Sequence, residues 1–173
     1  RGEPVDGVRM PRASVSRYGS GMRDLHAAVV QMCAGPEPAQ SLQRAAELTE
    51  EALDRGADLV VLPENFWGVA PPGFDRLAWA VDLEDLGSAG DLPRDPPPVL
   101  AAQLALSRRS DAVIVLGGLP ERPAPADGAP AGVLFNTLVV LRRGRIVATY
   151  RKIHRFDATL PDGSTLHESA TVA

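Results

Sequence analysis

Two residues stand where chemistry could be done. Glu64 follows directly on a continuous apolar run ending Leu62-Pro63, and Lys152 sits in Tyr150-Arg151-Lys152-Ile153-His154, where another apolar run ends. Eighteen residues of the chain are Lys or Arg, and Lys152 alone among them is lysine. A guanidinium keeps its proton in a protein, whereas an ammonium is a compact point charge whose pKa responds to burial, so lysine suits proton chemistry and a focused oxyanion contact. An alanine- and arginine-heavy composition that disfavours lysine would also leave one survivor. A carboxylate and an ammonium brought together at one sheet edge would make a general base with an electrostatic stabiliser beside it. A structural ion pair, or two unrelated surface charges, would leave the same pattern in sequence.

The elements that must position these groups read as an alternation of strands and helices. Leu25–Cys33 is a short apolar run closed by Ala34-Gly35-Pro36, which predicts a buried strand and a turn. From Ala39 to Arg55 the residues Leu42, Ala45, Ala46, Leu48, Ala52 and Leu53 recur at helical spacing, with Gly56 just past the end. Ala57–Leu62 is a second apolar strand, and strand-helix-strand order implies adjacent parallel strands. Val99–Arg109 predicts a second helix and Ala112–Leu116 a third strand, which Gly117-Gly118-Leu119-Pro120-Glu121 is expected to break. Leu134–Leu141 and Arg145–Tyr150 flank Arg142-Arg143-Gly144, the pattern of a tight antiparallel hairpin. The fold class is therefore α/β, a mixed sheet with flanking helices. In open α/β sheets ligands collect at the carboxyl ends of strands, where Glu64 falls.

Composition narrows the function classes. The net charge of -4 comes without a basic stripe or aromatic-interleaved patch, so no nucleic-acid surface is expected. No uncharged apolar stretch is long enough to span a membrane, and a single cysteine makes no internal disulfide, which points to a reducing, cytoplasmic setting. Residues 1–23 are rich in Arg, Gly, Ser and Pro without apolar periodicity and read as a flexible leader or read-through ahead of Met22. The start at Arg1 and the stop at Ala173 make residues 24–173 read as the N-terminal part of a larger domain.

Four motifs then carry a resemblance. Leu62-Pro63-Glu64, Gly117-Gly118 with Pro120-Glu121, Phe135-Asn136-Thr137 and, above all, Tyr150-Arg151-Lys152-Ile153-His154 followed by Phe156-Asp157 resemble the carbon-nitrogen hydrolases, the nitrilase superfamily. Leu160-Pro161-Asp162-Gly163 with Glu168-Ser169 is most similar to its small-amidase branch, the omega-amidases and deaminated-glutathione amidases. The likeness runs from about Leu25 to Val172. It implies part of a four-layer αββα sandwich, self-association when complete, and a cofactor-free thiol amidase acting on small-molecule amides. It also implies roles: Glu64 as general base, Lys152 as oxyanion stabiliser, and Glu168 as a second glutamate that positions substrate or lysine. Positive charge and partial desolvation around the glutamates should perturb the pKa values of the cluster.

The nucleophilic cysteine of that family lies downstream of the lysine, and no cysteine follows Lys152 here. Cys33 precedes both Glu64 and Lys152 and reads as a small core residue, so the chain by itself is expected to be inactive. His154, Asp157, Asp162 and His167 match no standard zinc spacing, and no metal is expected. Trp67, Phe74 and Trp79 could either shape a substrate pocket or cover a sheet edge. The reading from another class is a non-catalytic short homologue that keeps the acid-lysine pair as a structural or partner-binding element.

Overall fold

The computed structural model describes residues 7–9, 24–69, 74–83, 95–170 and 172, with only the backbone described for 7–9. A six-stranded mixed sheet runs in the order β1 (Gly7–Arg9), β2 (Ala27–Gln31), β3 (Leu59–Val61), β4 (Val113–Glu121), β5 (Phe135–Arg142) and β6 (Arg145–Arg151). β2, β3 and β4 are mutually parallel, while β1 and the β5–β6 hairpin pair antiparallel. Helix α1 (Pro38–Asp54) joins β2 to β3, and α2 (Pro98–Arg108) precedes β4. A separate two-stranded sheet, β7 (Asp157–Thr159) and β8 (Thr165–His167), follows.

The local chemistry accounts for these elements. Pro38 opens α1, where its missing N–H is not needed. At the other end Gly56 takes φ 78°, its N–H donates to the Leu53 carbonyl, and the Ala57 N–H donates to the Ala52 carbonyl. That paired closure satisfies two of the last orphan carbonyls and favours glycine at the left-handed position. Arg143 and Gly144 both have positive φ, which gives the β5–β6 turn the twist that a two-residue hairpin needs.

Burial is one-sided. Ala45, Leu48 and Ala52 of α1 and Leu100 and Leu104 of α2 pack with Ala28, Val30, Val60, Ile114, Leu116, Leu119, Val139 and Leu141 from one sheet face. Each fully buried leucine contributes roughly 2 kcal/mol. Alternation along the strands sends Val29, Val61, Val115, Leu138, Val140 and Tyr150 to the opposite face. That face is apolar but only half covered, with Val29 and Tyr150 exposed. One helix layer on one sheet is half of the sandwich that the motifs imply.

The strands keep the expected order with corrected limits. The third strand does not stop at Gly117. It runs on to Glu121, and the glycine pair forms a register shift between Leu116 and Leu119 instead. A sequence scan reads Gly-Gly as a breaker, whereas a bulge accommodates the same residues inside a ladder. β1 arises within the segment read as a leader; the remainder of 1–23 lies outside the described residues.

Candidate active site

Lys152 follows the last residue of β6, and its backbone N–H still donates to the Asn136 carbonyl at 2.8 Å. Pairing places Lys152 and Asn136 on the sheet face away from α1 and α2, opposite Arg151 and Thr137. From there Lys152 Nζ donates to Glu64 Oε1 at 2.9 Å and to Glu168 Oε1 at 3.0 Å. The two glutamates anticipated from sequence thus both accept from the nitrogen of the anticipated lysine.

Glu64 arrives by a turn. Leu62 is buried, Pro63 ends the strand direction, and Asn65 adopts φ 54°, a left-handed conformation that asparagine tolerates better than most residues. The bulge of β4 passes directly beneath. A Cβ on Gly117 would lie 2.6 Å from the Leu62 carbonyl oxygen, and one on Gly118 would lie 2.5 Å from Asn136 Oδ1 and 3.4 Å from Glu64 Cγ. The two glycines therefore open the space in which Glu64 and Asn136 meet, and Asn136 Nδ2 donates to Glu64 Oε1 at 2.7 Å.

Glu168 is delivered by the β7–β8 hairpin. Asp162 Oδ1 accepts from both the N–H and the hydroxyl of Ser164 and shapes the connecting turn. Asp157 Oδ1 accepts from the Ser169 N–H at 3.0 Å and fixes the short helical turn that Glu168 opens. Glu168 Oε2 takes the Phe156 N–H, which leaves Oε1 aimed at Lys152.

The side chains of Glu168, Lys152 and Glu64 are 18%, 27% and 49% exposed, so the pair of acids is unequal: one is mostly desolvated, the other faces the opening. Burial lowers the Lys152 pKa, but hydrogen bonds and charge from Glu64 and Glu168 outweigh it, and the ammonium is held above its ordinary value. Burial raises the Glu168 carboxyl; the Phe156 N–H, Lys152 and Asn136 more than offset this, and its pKa falls below the usual value. Both groups are thereby kept charged.

Around this cluster lies a cavity of about 430 Å³ lined by Glu64, Asn136, Lys152, Glu168, Arg76 and His167, with Asn65, Phe156 and Leu166 completing the wall. Arg76 and Asn136 were not singled out as site residues in the sequence. Asn136 had a signal, since it lies inside the Phe135-Asn136-Thr137 motif, whereas Arg76 sits in an irregular stretch with no periodicity to mark it. The Arg76 guanidinium lies 5.9 Å from the Trp67 ring centroid, and its Nε is buried without a hydrogen-bond partner among the described residues.

The three aromatic residues pack with the core rather than at the cavity. Trp67 is part of the core, and Phe74 and Trp79 pack partly buried against it; none lines the cavity. Cys33 is exposed beyond the end of β2 rather than in the core, because the strand stops at Gln31, and it borders a separate cavity with Glu37, Gln40 and Arg44. Of the His and Asp residues weighed as metal ligands, His167 faces the cavity. No group of three His, Cys, Asp or Glu among the described residues is arranged to hold a metal ion.

The model of the carbon-nitrogen hydrolase family matches residues 26–173. This chain belongs to the carbon-nitrogen hydrolase family. It is 34% identical over 152 residues to a deaminated glutathione amidase of Synechocystis, covering 87% of this chain and 50% of that protein. It is 29% identical to the omega-amidase NIT3 of Saccharomyces cerevisiae over 84% of this chain and 47% of that one. The hydrolase chain therefore spans about half the length of the curated relatives it matches. Among solved structures it resembles Saccharomyces cerevisiae Nit3, a member of branch 10 of the nitrilase superfamily, with TM-score 0.59 and 26% identity over 86% of this chain and 48% of that one. The C. elegans NitFhit protein matches with TM-score 0.61 and 26% identity, over 85% of this chain and 32% of that chain. No helix of this family member is long and apolar enough to cross a membrane, among the described residues.

Proposed function

We propose that this hydrolase chain supplies the acid-base and oxyanion groups of a small-molecule amidase that releases ammonia, working with a thiol from outside these 173 residues. The observation that carries the reading is Lys152 Nζ held between Glu64 at 2.9 Å and Glu168 at 3.0 Å at the wall of an open cavity.

In this scheme Glu64 takes the thiol proton, the thiolate attacks the amide carbon, and the negative charge develops on the former carbonyl oxygen. Lys152, kept protonated by its two carboxylates, faces that oxygen together with a backbone N–H. Glu64 then hands its proton to departing ammonia. The resulting thioester is hydrolysed by a water that Glu64 deprotonates, which releases the acid and restores the thiol. Glu64 is the acid that must exchange protons twice, and it is the more exposed of the two. Glu168 is locked by the Phe156 N–H and serves to fix the lysine.

Arg76 gives the cavity wall a second cation beside Lys152, which suits an amide that also carries a carboxylate. The names of the relatives, deaminated glutathione amidase and omega-amidase, are compatible with such substrates.

The test is ammonia release from small carboxylate-bearing amides by the complete protein. Activity that survives a metal chelator and is abolished by a thiol-alkylating reagent supports the reading. Activity lost on chelation and restored by metal would overturn it.

A further inference from the structure

On the helix side of the sheet, away from the cavity, lies a charged cluster that the proposed chemistry does not use. The Glu121 side chain is only 3% exposed. Arg151 grips it with two nitrogens, Nη2 to Oε1 at 2.6 Å and Nε to Oε2 at 3.1 Å, and the Thr137 hydroxyl donates to the same carboxylate. Asp127 holds Arg151 Nη1 at 2.9 Å, and the Phe135 ring lies 4.1 Å from its Cζ. An ion pair that buries one of its partners is weak evidence for stability, since apolar residues of similar size often serve as well, so its placement invites a second explanation.

That placement is specific. Glu121 ends β4, Thr137 lies on β5 and Arg151 ends β6, so one carboxylate ties three neighbouring strands together. Thr137 and Arg151 are direct cross-strand partners. Because side chains alternate across a strand, each of these anchors is the sequence neighbour of a cavity residue on the opposite face: Asn136 beside Thr137, and Lys152 beside Arg151. The backbone bond from the Lys152 N–H to the Asn136 carbonyl joins the two neighbours directly.

We propose that Glu121, Arg151 and Thr137 are positioning residues whose contacts through the sheet hold Lys152 Nζ between Glu64 and Glu168. Without the carboxylate the end of β6 is free to slide or fray, and a displacement of about 1 Å at a reacting group is worth up to a hundredfold in rate. For its catalytic consequence this inference rests on the amidase reading; the coupling between the two faces does not.

Lys152 is the chain's single lysine, so protein labelled with carbon-13 at lysine Cε gives one side-chain resonance from these residues to follow as pH rises. In the parent chain its midpoint is expected above that of a free lysine, because the bonds to Glu64 and Glu168 favour the ammonium. Glu121→Gln keeps the shape and removes the charge, and Thr137→Val removes a hydroxyl without changing any charge. Both are expected to return the midpoint toward the free value, the second by less. In the complete protein both lower kcat, Glu121→Gln by about tenfold, with KM within about twofold. A cluster that only stabilises the fold would lower the melting temperature and leave the Lys152 titration in place. Folded Thr137→Val or Glu121→Gln protein with the parent's midpoint overturns the proposal, and Thr137→Val decides it if Glu121→Gln does not fold. A parent protein that releases no ammonia overturns the amidase reading alone, because the titration still decides the coupling.

Discussion

Lys152 Nζ and Glu64 Oε1 are 2.9 Å apart although 88 positions separate them in sequence and β4 and β5 lie between their strands in the sheet. The gap closes because Glu64 leaves β3 on a turn that crosses over β4, where Gly117 and Gly118 remove the side chains that would block it. Asn136 from β5 fills the interval and donates to Glu64. The contact is therefore a product of the bulge as much as of the two charged residues.

Gly118→Ala tests that dependence. Gly118 has φ 144°, and an added Cβ would stand 2.5 Å from Asn136 Oδ1. Backbone strain of this kind costs about 1–3 kcal/mol, and the clash displaces Asn136 from Glu64. Denaturant unfolding should show that loss of stability, and ammonia release should fall with it. An alanine variant as stable and active as the parent would contradict the account of the bulge.

Cys33→Ser separates the exposed thiol from the chemistry. Cys33 borders a different cavity from Glu64 and Lys152, so the serine variant of the complete protein should keep parent kcat and KM. Loss of activity would make Cys33 the nucleophile and undo the assignment of the thiol to residues outside this chain.

Stability should depend on pH through Glu168. Its folded pKa is depressed, so the stability it contributes is present above its unfolded value and disappears as pH falls through the lower folded value. Lys152 behaves in mirror image: its raised pKa keeps its contribution below the unfolded value and loses it in strong alkali. Thermal unfolding of the parent and of Glu168→Gln, measured from neutral pH down to about pH 3, should show a gap that narrows once pH falls below the ordinary carboxyl range of about 4. A gap that stays constant would mean that Glu168 is not held as described.

Arg76→Gln addresses specificity. Removing one charge-assisted contact to a substrate carboxylate raises KM about tenfold or more for carboxylate-bearing amides and leaves neutral amides almost unaffected. Steady-state kinetics on one amide of each kind measures this, and equal effects on both would remove Arg76 from substrate recognition.

Much of this was legible in the residues, for physical reasons that differ by element. Helix α1 was readable to within a residue at each end because its apolar spacing and Gly56 carry a complete closing motif. The hairpin was readable from Arg143-Gly144, where positive φ is demanded. Glu64, Lys152 and Glu168 were singled out as candidates through strand ends and short motifs, and their convergence needed coordinates because it depends on a bulge that the same glycines hid. Arg76 was out of reach: it lies on a short helical turn in a stretch of Gly, Pro and Asp, where no periodicity reports which side chain faces a cavity. Cys33 was misjudged because β2 ends two residues before it, and strand ends are set by pairing with neighbours rather than by apolar content.

The most direct measurement of the central claim is kcat for ammonia release by the complete protein carrying Lys152→Arg. Arginine keeps the charge but spreads it over a planar fork that cannot take the place of a compact ammonium between Glu64 and Glu168. A fall in kcat of about a hundredfold or more, with KM little changed and the fold intact, is the predicted result. Parent-level turnover by the arginine variant would contradict it and leave the lysine as one half of an ordinary ion pair.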